Sequence, residues 1–200
     1  MKLRFLFACT TCLFSSVSGY CLDLTPRFVT RITGTQSENI PYFVEGDTRF
    51  AMELPLGVTA SRDEGEAVFH FRDVEGTLAM KPSPFKPDDP FNGPALEAYR
   101  KATLKFVPLG ATDISIKAEV PNPLTFHGWT SYRFTVAWQV PGRSFLQSVT
   151  FLNFSARQQI LLIASAPVDQ FARMEALVLE MMGAWRTLRP GESITVPPPL

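Results

Sequence analysis

The sequence predicts an α+β fold in which an antiparallel β-sheet is flanked by helices. The region 132–164 contains segments in which apolar residues alternate with polar ones or run continuously, as in half-buried and buried strands. The region 171–188 carries large apolar residues at the spacing of an amphipathic helix. Of the 200 residues, 46% are hydrophobic, and 19 basic residues balance 19 acidic ones, which is typical of a globular domain and not of a disordered chain.

The N-terminal half predicts short strands separated by turns. Residues 27–33 are rich in β-branched and aromatic side chains and predict a strand, whereas residues 34–38 predict a linker. A turn signal at residues 63–65 predicts a β-hairpin. The strands around these breaks are predicted at residues 50–54, 58–61, 67–72 and 77–81.

Residues 81–94 differ in composition from the rest of the chain, because they contain five prolines. Proline fixes φ and lacks a backbone donor, so this segment predicts a semi-rigid surface loop. The loop is either a plain connector or a recognition loop, since long loops in compact domains are often functional. A helix is predicted to start near Pro94 and to end before Pro108.

The C-terminal part predicts four strands and a final helix. Residues 113–119 alternate and predict a strand with one buried face, formed by Ile114, Ile116 and Ala118. Residues 132–140, 144–154 and 160–164 predict a three-stranded antiparallel meander. A long C-terminal helix is predicted to open at residues 165–167, and its apolar stripe comprises Phe171, Met174, Leu177, Val178, Met181, Met182, Trp185 and Leu188.

The termini predict an exported protein. Residues 1–19 begin with a basic region, continue with an uncharged apolar stretch and end in small residues, which predicts a cleaved signal peptide. An uncleaved anchor or a buried first helix is the alternative. We expect residues 20–40 to form an N-terminal segment, 41–189 a single α/β/α sandwich domain and 190–200 a disordered proline-rich tail. No apolar run reaches the ~20 residues that a bilayer-spanning helix needs. The expected location is therefore periplasmic or secreted, without a transmembrane span after signal cleavage.

Cys21 is the cysteine that would remain in the mature chain. A lone cysteine forms no internal disulfide, so the hydrophobic core must stabilise the domain. Lipoprotein processing needs a small residue immediately before the cysteine, but Tyr20 occupies that position. We therefore expect no lipid anchor at Cys21.

The sequence offers little material for catalysis. A balanced charge leaves no electrostatic footprint for nucleic acid. Phosphate-binding glycine loops and the G-x-S-x-G elbow are absent. His70 and His127 are the two histidines, and neither belongs to a catalytic or metal-binding spacing. We expect no catalytic residues, no metal ligands and no cofactor-binding residues, and hence a protein that is not an enzyme.

In this order, the elements resemble the PsbP/Mog1-like α/β/α sandwich superfamily. The resemblance rests on the strand followed by Leu54-Pro55-Leu56-Gly57, on the meander and on the ending Ala184-Trp185-Arg186-Thr187-Leu188. Relatives commonly carry a Ser-Phe pair where this chain has Ala184-Trp185. The family contains photosystem II extrinsic subunits, a Ran-binding import factor and bacterial exported proteins. The resemblance implies a binding or accessory role and supplies no ligand residues.

These observations favour an exported, non-enzymatic accessory or protein-interaction domain of the cell envelope. Its partner would be an unidentified envelope or secreted protein, and we expect the chain to be a monomer. Aromatic side chains in two loops are the candidate anchors for a partner. This predicted contact surface comprises Phe85, Phe91, Phe126, His127 and Trp129. A small-molecule or lipid carrier with an apolar pocket is one alternative, and a small enzyme that uses His127 beside a nucleophile is another.

Overall fold

The structure is a computed structural model that describes residues 21–33, 36–64, 66–124 and 126–188. Within these residues the chain is mostly antiparallel β-structure with two helices, which confirms the α+β class. The predicted signal peptide and the predicted tail lie outside the described residues. The elements are β1 (Asp23–Thr33), β2 (Gln36–Glu45), β3 (Thr48–Met52), β4 (Val58–Asp63), β5 (Glu66–Phe71), β6 (Thr77–Pro82), α1 (Gly93–Leu104), β7 (Thr112–Pro121), β8 (Thr130–Val140), β9 (Arg143–Asn153), β10 (Gln159–Pro167), α2 (Phe171–Gly183) and β11 (Trp185–Leu188).

A seven-stranded antiparallel sheet forms the centre of the fold, with the strand order β4-β5-β6-β10-β9-β8-β7. It contains the predicted hairpin as β4 and β5, and the predicted meander as β8, β9 and β10. Gly142 has a φ of +79° in the turn between β8 and β9, a conformation that glycine adopts without steric cost. Strand β10 of the meander also pairs with β6, so the meander is part of a larger sheet than the sequence predicts.

A second, four-stranded sheet has the order β1-β2-β3-β11. The predicted linker at residues 34–38 is wrong, because β2 begins at Gln36 and pairs with β1 from Gln36 to Val44. The two strands form a hairpin instead of a spacer. The division predicted between residues 40 and 41 falls inside β2.

Each face of the seven-stranded sheet has its own hydrophobic core. The face that we call the α2 face is covered by α2 and by the four-stranded sheet. Met174 of α2, Phe43 of β2 and Phe69 of β5 all have no exposed surface in this core. Burying each large side chain contributes about 1.5–3 kcal/mol, so this core is a major source of stability.

The opposite face, which we call the α1 face, is covered at one end by α1 and the proline-rich loop. Tyr99 of α1 is fully buried against Phe151 of β9, with ring centroids 4.8 Å apart. Arg100 of α1 binds Glu119 of β7 through two hydrogen bonds of 2.6 and 2.7 Å. The prediction of an α/β/α sandwich is not confirmed, because the α2 face is shared between one helix and a second sheet.

The predicted long C-terminal helix is wrong at both ends, because residues 165–167 belong to β10 and residues 185–188 form β11. Helix α2 ends at Gly183, and Trp185 already pairs with Met52 of β3. Trp185 and Leu188 are both buried, but they lie in a strand three residues apart and so belong to opposite faces of the small sheet. Their spacing fits a helical stripe equally well, which explains the error.

The predicted buried face of the strand at residues 113–119 is also wrong. Ile114 is 44% exposed, and Ala118 is exposed as well. Strand β7 is an edge strand whose pairing with β8 shifts between Thr112 and Ser115 and again between Ile116 and Ala118. Such irregularities re-aim side chains and disturb the two-residue period.

Candidate ligand-binding groove

Phe85 and Phe91 of the predicted contact surface belong to the core under the proline-rich loop. Their rings lie 4.1 Å and 5.1 Å from the ring of Tyr99, measured between centroids. Both are half-buried, and Phe85 also contacts Phe151 edge-on at 5.7 Å. They hold the loop against the α1 face, so their apolar area is already partly used within the chain.

Trp129 and His127 lie with the opposite core. The Trp129 ring contacts Phe154 at 5.5 Å and Trp185 at 5.8 Å, both of them residues of the α2-face core. His127 is exposed, has a φ of +57° in a 3₁₀ turn and lies 4.7 Å from the Trp129 ring. Phe126 begins the same turn, and its side chain is outside the described part of the chain. Among the predicted residues whose side chains are described, Phe85 and Phe91 thus pack with one core and Trp129 packs with the other.

A groove lies at the other end of the α1 face, beyond the reach of α1 and the proline-rich loop. Its volume is about 570 Å³, which is within the range of small-molecule sites. It opens to solvent between strands β5, β6, β10, β9 and β8. The lining residues are His70, Phe71, Val74, Glu75, Gly76, Thr77, Ala79, Pro108, Trp138, Phe145, Gln147, Ile163 and Ser165.

Two stacked aromatic rings form one wall of the groove. Trp138 of β8 and Phe145 of β9 are directly paired across the strands, with centroids 4.3 Å apart and planes inclined by 6°. The Arg143 guanidinium lies 5.3 Å from the Phe145 centroid, which is a cation–π distance. The two rings therefore cover each other's facing sides and form a rigid apolar wall, which we call the Trp138–Phe145 platform.

Two buried hydrogen-bond donors line the groove without a partner. Gln147 is 1% exposed and Trp138 is 6% exposed. Neither Gln147 Nε2 nor Trp138 Nε1 has a hydrogen-bond acceptor among the described residues. Leaving a buried donor unsatisfied costs about 1–3 kcal/mol, so such groups in native proteins call for an explanation.

Charged groups at the groove are held at its rim. Arg143 forms an ion pair with Glu75, and one of its hydrogen bonds, from Nη2 to Glu75 Oε2, is 2.5 Å long. That hydrogen bonding holds the pKa of the Glu75 carboxyl below its usual value. His70 is exposed at the rim, with its Nε2 at 3.2 Å from Ser61 Oγ. The interior of the groove thus presents apolar surface and neutral polar groups.

Sequence reasoning anticipates part of this site. The alternation of His70 with Phe69 and Phe71 predicts that His70 points away from the core, and the structure confirms it. The two unpartnered donors of the groove are not predicted from the sequence, although the position of Gln147 could have indicated one of them. Gln147 is a polar residue in a strand predicted to be apolar on both faces, where a partner or a ligand is needed.

The described residues contain no group of three or more His, Cys, Asp or Glu side chains that could hold a metal ion. In the same part of the chain, neither helix has the length and apolar character needed to cross a bilayer. Cys21 is exposed and forms no disulfide.

Comparison with known proteins finds similarity in structure. No protein family and no curated protein matches the sequence. Cyanobacterial PsbP (CyanoP) from Synechocystis sp. PCC 6803 has a TM-score of 0.48 and 16% identity, over 79% of this chain and 98% of that one. The Ran-binding protein Mog1p of Saccharomyces cerevisiae has a TM-score of 0.45 and 11% identity, over 82% and 95% of the two chains.

LpqN, involved in cell envelope biogenesis of Mycobacterium tuberculosis, has a TM-score of 0.46 and 9% identity, over 82% of this chain and 92% of LpqN. The chain also spans 46% of a similar structure from Bacteroides thetaiotaomicron, less than half of that protein. These likenesses concern the fold alone. A PsbP protein and Mog1p are thus among the solved structures to which this chain is similar.

Proposed function

We propose that this chain is an exported, non-enzymatic accessory domain of the cell envelope that acts by binding another molecule in the groove. The observation that carries the proposal is the pair of buried, unpartnered donors beside the Trp138–Phe145 platform. A sheet face that only stabilised the fold would gain from apolar residues at these positions. A polar group retained there has an explanation if a ligand completes its hydrogen bonding.

Export is supported by the sequence of residues 1–19. Lys2 and Arg4 form the basic region, and the small residues before Tyr20 fit a signal peptidase site. The test is to produce the full chain with a C-terminal tag in a bacterial host and to sequence the N-terminus of the periplasmic protein. We expect it to begin at Tyr20. A protein that stays in the cytoplasm and begins at Met1 would contradict export.

A binding role fits the groove better than catalysis does. Glu75 is neutralised by Arg143, and His70 lies on the β4–β5 hairpin beside the hydroxyl of Ser61. The Ser61 hydroxyl also lies 3.4 Å from the Val68 carbonyl oxygen, which it can donate to. A nucleophile needs a base together with donors for the developing oxyanion, and the amides of β5, which pairs with β4 on one side and β6 on the other, are committed to the sheet.

The carrier alternative rests on the same groove. Its lining includes Phe71, Val74 and Ile163, so an apolar small molecule would bury much of its surface there. Mass spectrometry of organic extracts of the purified protein separates the two roles. A stoichiometric bound compound would favour a carrier, whereas a protein purified empty would favour an accessory domain that meets its ligand in place.

Binding through the groove can be tested in cells with a photo-crosslinking amino acid at position 70. His70 is exposed at the groove rim, and Ala172, exposed on the outer side of α2, is the matched control position. We expect irradiation to give a discrete adduct from position 70 and none from position 172. Equal labelling at the two positions would contradict a binding role for the groove.

A further inference from the structure

The two residues that carry the unpartnered donors are diagonal neighbours in the sheet. Trp138 pairs directly with Phe145 across β8 and β9, and Gln147 lies two residues further along β9. Diagonal neighbours of this kind have Cα atoms about 7–8 Å apart, within reach of long side chains. An indole N–H and an amide N–H therefore belong to neighbouring residues of the groove lining, and both are shielded from solvent until side chains at the groove shift. A ligand that completes the hydrogen bonding of these two donors must present an acceptor.

The platform defines the rest of the ligand. The Trp138 and Phe145 rings are stacked at 4.3 Å, and Ile163 and Ala79 continue the apolar lining on β10 and β6. A flat ring would be recognised by area burial and by edge-on contact with these rings, whose facing sides are already stacked on each other. The ligand that matches the lining is largely apolar and carries its acceptor oxygen at one side.

The charges on the groove favour a neutral ligand. Glu75 would repel an anion, and it is already engaged by Arg143. Arg143 in turn lies over Phe145 and bonds to Glu75, so a carboxylate ligand would have to break that pair. A buried carboxylate without a cation costs far more than a carbonyl held by two N–H groups.

We propose that the groove binds a neutral, flat, largely apolar ring compound through a carbonyl-type oxygen that accepts hydrogen bonds from Trp138 Nε1 and Gln147 Nε2. This inference rests on the proposed binding function and names the class of ligand for it. Thr77 and Ser165 supply hydroxyls at the same groove, so a second oxygen on the ring also has polar neighbours.

Three naphthalene probes test the three parts of this inference. We would titrate the full mature chain with 2-acetonaphthone, with 2-ethylnaphthalene and with 2-naphthoate, and follow the indole N–H signals of the three tryptophans by ¹H–¹⁵N correlation NMR. The ketone should shift the Trp138 signal saturably. The hydrocarbon lacks the acceptor, and the naphthoate carries a charge. Each should therefore bind at least about tenfold more weakly than the ketone.

Variants show whether the two donors are used. Trp138→Phe keeps an aromatic ring and removes one donor, and Gln147→Leu keeps a similar volume and removes the other. Each should weaken binding of the ketone about tenfold, with the amide spectrum remaining that of the folded chain. Because Trp138→Phe has no indole signal at position 138, binding to both variants is followed through the backbone amide signals of Phe145 and Ile163. Trp185→Phe is the matched control. Trp185 Nε1 is also buried without a partner among the described residues, but it lies in the α2-face core. This substitution should leave binding of the ketone unchanged.

Several results would overturn the inference. Equal binding of the ketone and the hydrocarbon would show that the two donors do not hydrogen-bond to the ligand. Tighter binding of the naphthoate than of the ketone would contradict a neutral ligand. A ketone that shifts Trp129 or Trp185 instead of Trp138 would contradict the site. Absence of any saturable shift up to the solubility limit of the ketone would contradict the ligand class. The crosslinking experiment at position 70 does not use these probes. It therefore tests the binding function of the groove separately from the ligand class.

Discussion

Two buried glutamines lie at opposite ends of the α1 face, and their surroundings differ. Gln159, 3% exposed, donates to Tyr99 Oη at 3.1 Å and to Asn153 Oδ1 at 2.8 Å, and accepts from Ser83 Oγ at 2.5 Å. Gln147, 1% exposed, has no acceptor for its Nε2 among the described residues. One sheet face thus contains a glutamine whose amide is hydrogen-bonded under α1 and a glutamine whose amide nitrogen is unpartnered in the groove.

The difference shows how the same residue type can stabilise a fold at one position and be available for binding at another. At the covered end, the proline-rich loop and α1 supply the partners, because Ser83 lies in the loop and Tyr99 lies on the helix. At the open end no element covers the sheet. Polar groups that are satisfied from within the chain rigidify a core, whereas unsatisfied ones need water or a ligand.

The largest expected effect comes from the packed α2 face that supports the groove from behind. Met174 has no exposed surface, and Met174→Asp would bury a charge without a partner, at a cost of about 3–5 kcal/mol or more. We expect the variant to be unfolded, as judged by circular dichroism. Ala176→Asp, at an exposed position of the same helix, should keep its melting temperature within a few degrees. A folded Met174→Asp protein of unchanged stability would contradict the core assignment.

The two glutamines can be compared directly by the same substitution. Gln159→Leu leaves Ser83 and Asn153 without this partner and should lower the free energy of unfolding by about 3 kcal/mol. Gln147→Leu removes an unsatisfied donor and should be neutral or stabilising. Urea titrations of both variants measure the difference. Equal losses of unfolding free energy in the two variants would mean that Gln147 makes a stabilising hydrogen bond. This result would contradict the difference between the two glutamines.

Gly76 allows the start of β6 to approach β10 closely at the groove. A Cβ at this position would lie 2.7 Å from the Ser165 carbonyl oxygen, and backbone must then move. Gly76→Ala should therefore cost about 2 kcal/mol and reduce the melting temperature in a thermal scan. Thr77→Ala, at the next and exposed position, serves as the control and should change stability by less than about 0.5 kcal/mol.

The smallest effect concerns the ion pair that joins α1 to β7 at the covered end. Hydrogen bonding from Arg100, helped by Tyr132, holds the pKa of Glu119 below its usual value. Because this folded-state pKa is lowered, the stabilisation is present above the unfolded-state pKa and is lost as the pH falls through the folded-state pKa. Glu119→Gln should reduce stability at neutral pH by about 1 kcal/mol or less. The difference between the two proteins should disappear in acid, which urea titrations across the acid range measure. A difference that grows in acid would contradict the assignment.

The strands were predictable wherever a regular period coincided with one covered face. In β8, Tyr132, Phe134, Val136 and Trp138 are all buried, as their alternation predicts. Errors occurred where tertiary pairing overrode a local pattern. Trp185 continues a helical stripe in the sequence, but pairing with Met52 of β3 draws it into a strand. Local periodicity contains no information about a partner strand 133 residues earlier in the chain, between positions 52 and 185.

The candidate site was less predictable than the fold. Aromatic residues in loops suggested a contact surface, but Phe85 and Trp129 pack into cores on opposite faces of the sheet. The groove instead combines residues from five strands. The packing positions of α1 and the proline-rich loop decide which end of the α1 face stays uncovered. These positions depend on the topology of the whole fold.

The pairing of β11 with β3 also has a consequence for the order of folding. The four-stranded sheet consists of the first three strands and the last described one, so it closes only when nearly the whole chain is available. A chain that emerges N-terminus first holds β3 as an open strand edge until residues 185–188 arrive. Open edges of this kind template association with other chains. Before β11 pairs, the free edge of β3 is therefore open to pairing with another chain, and a chain truncated before Trp185 would keep that edge open.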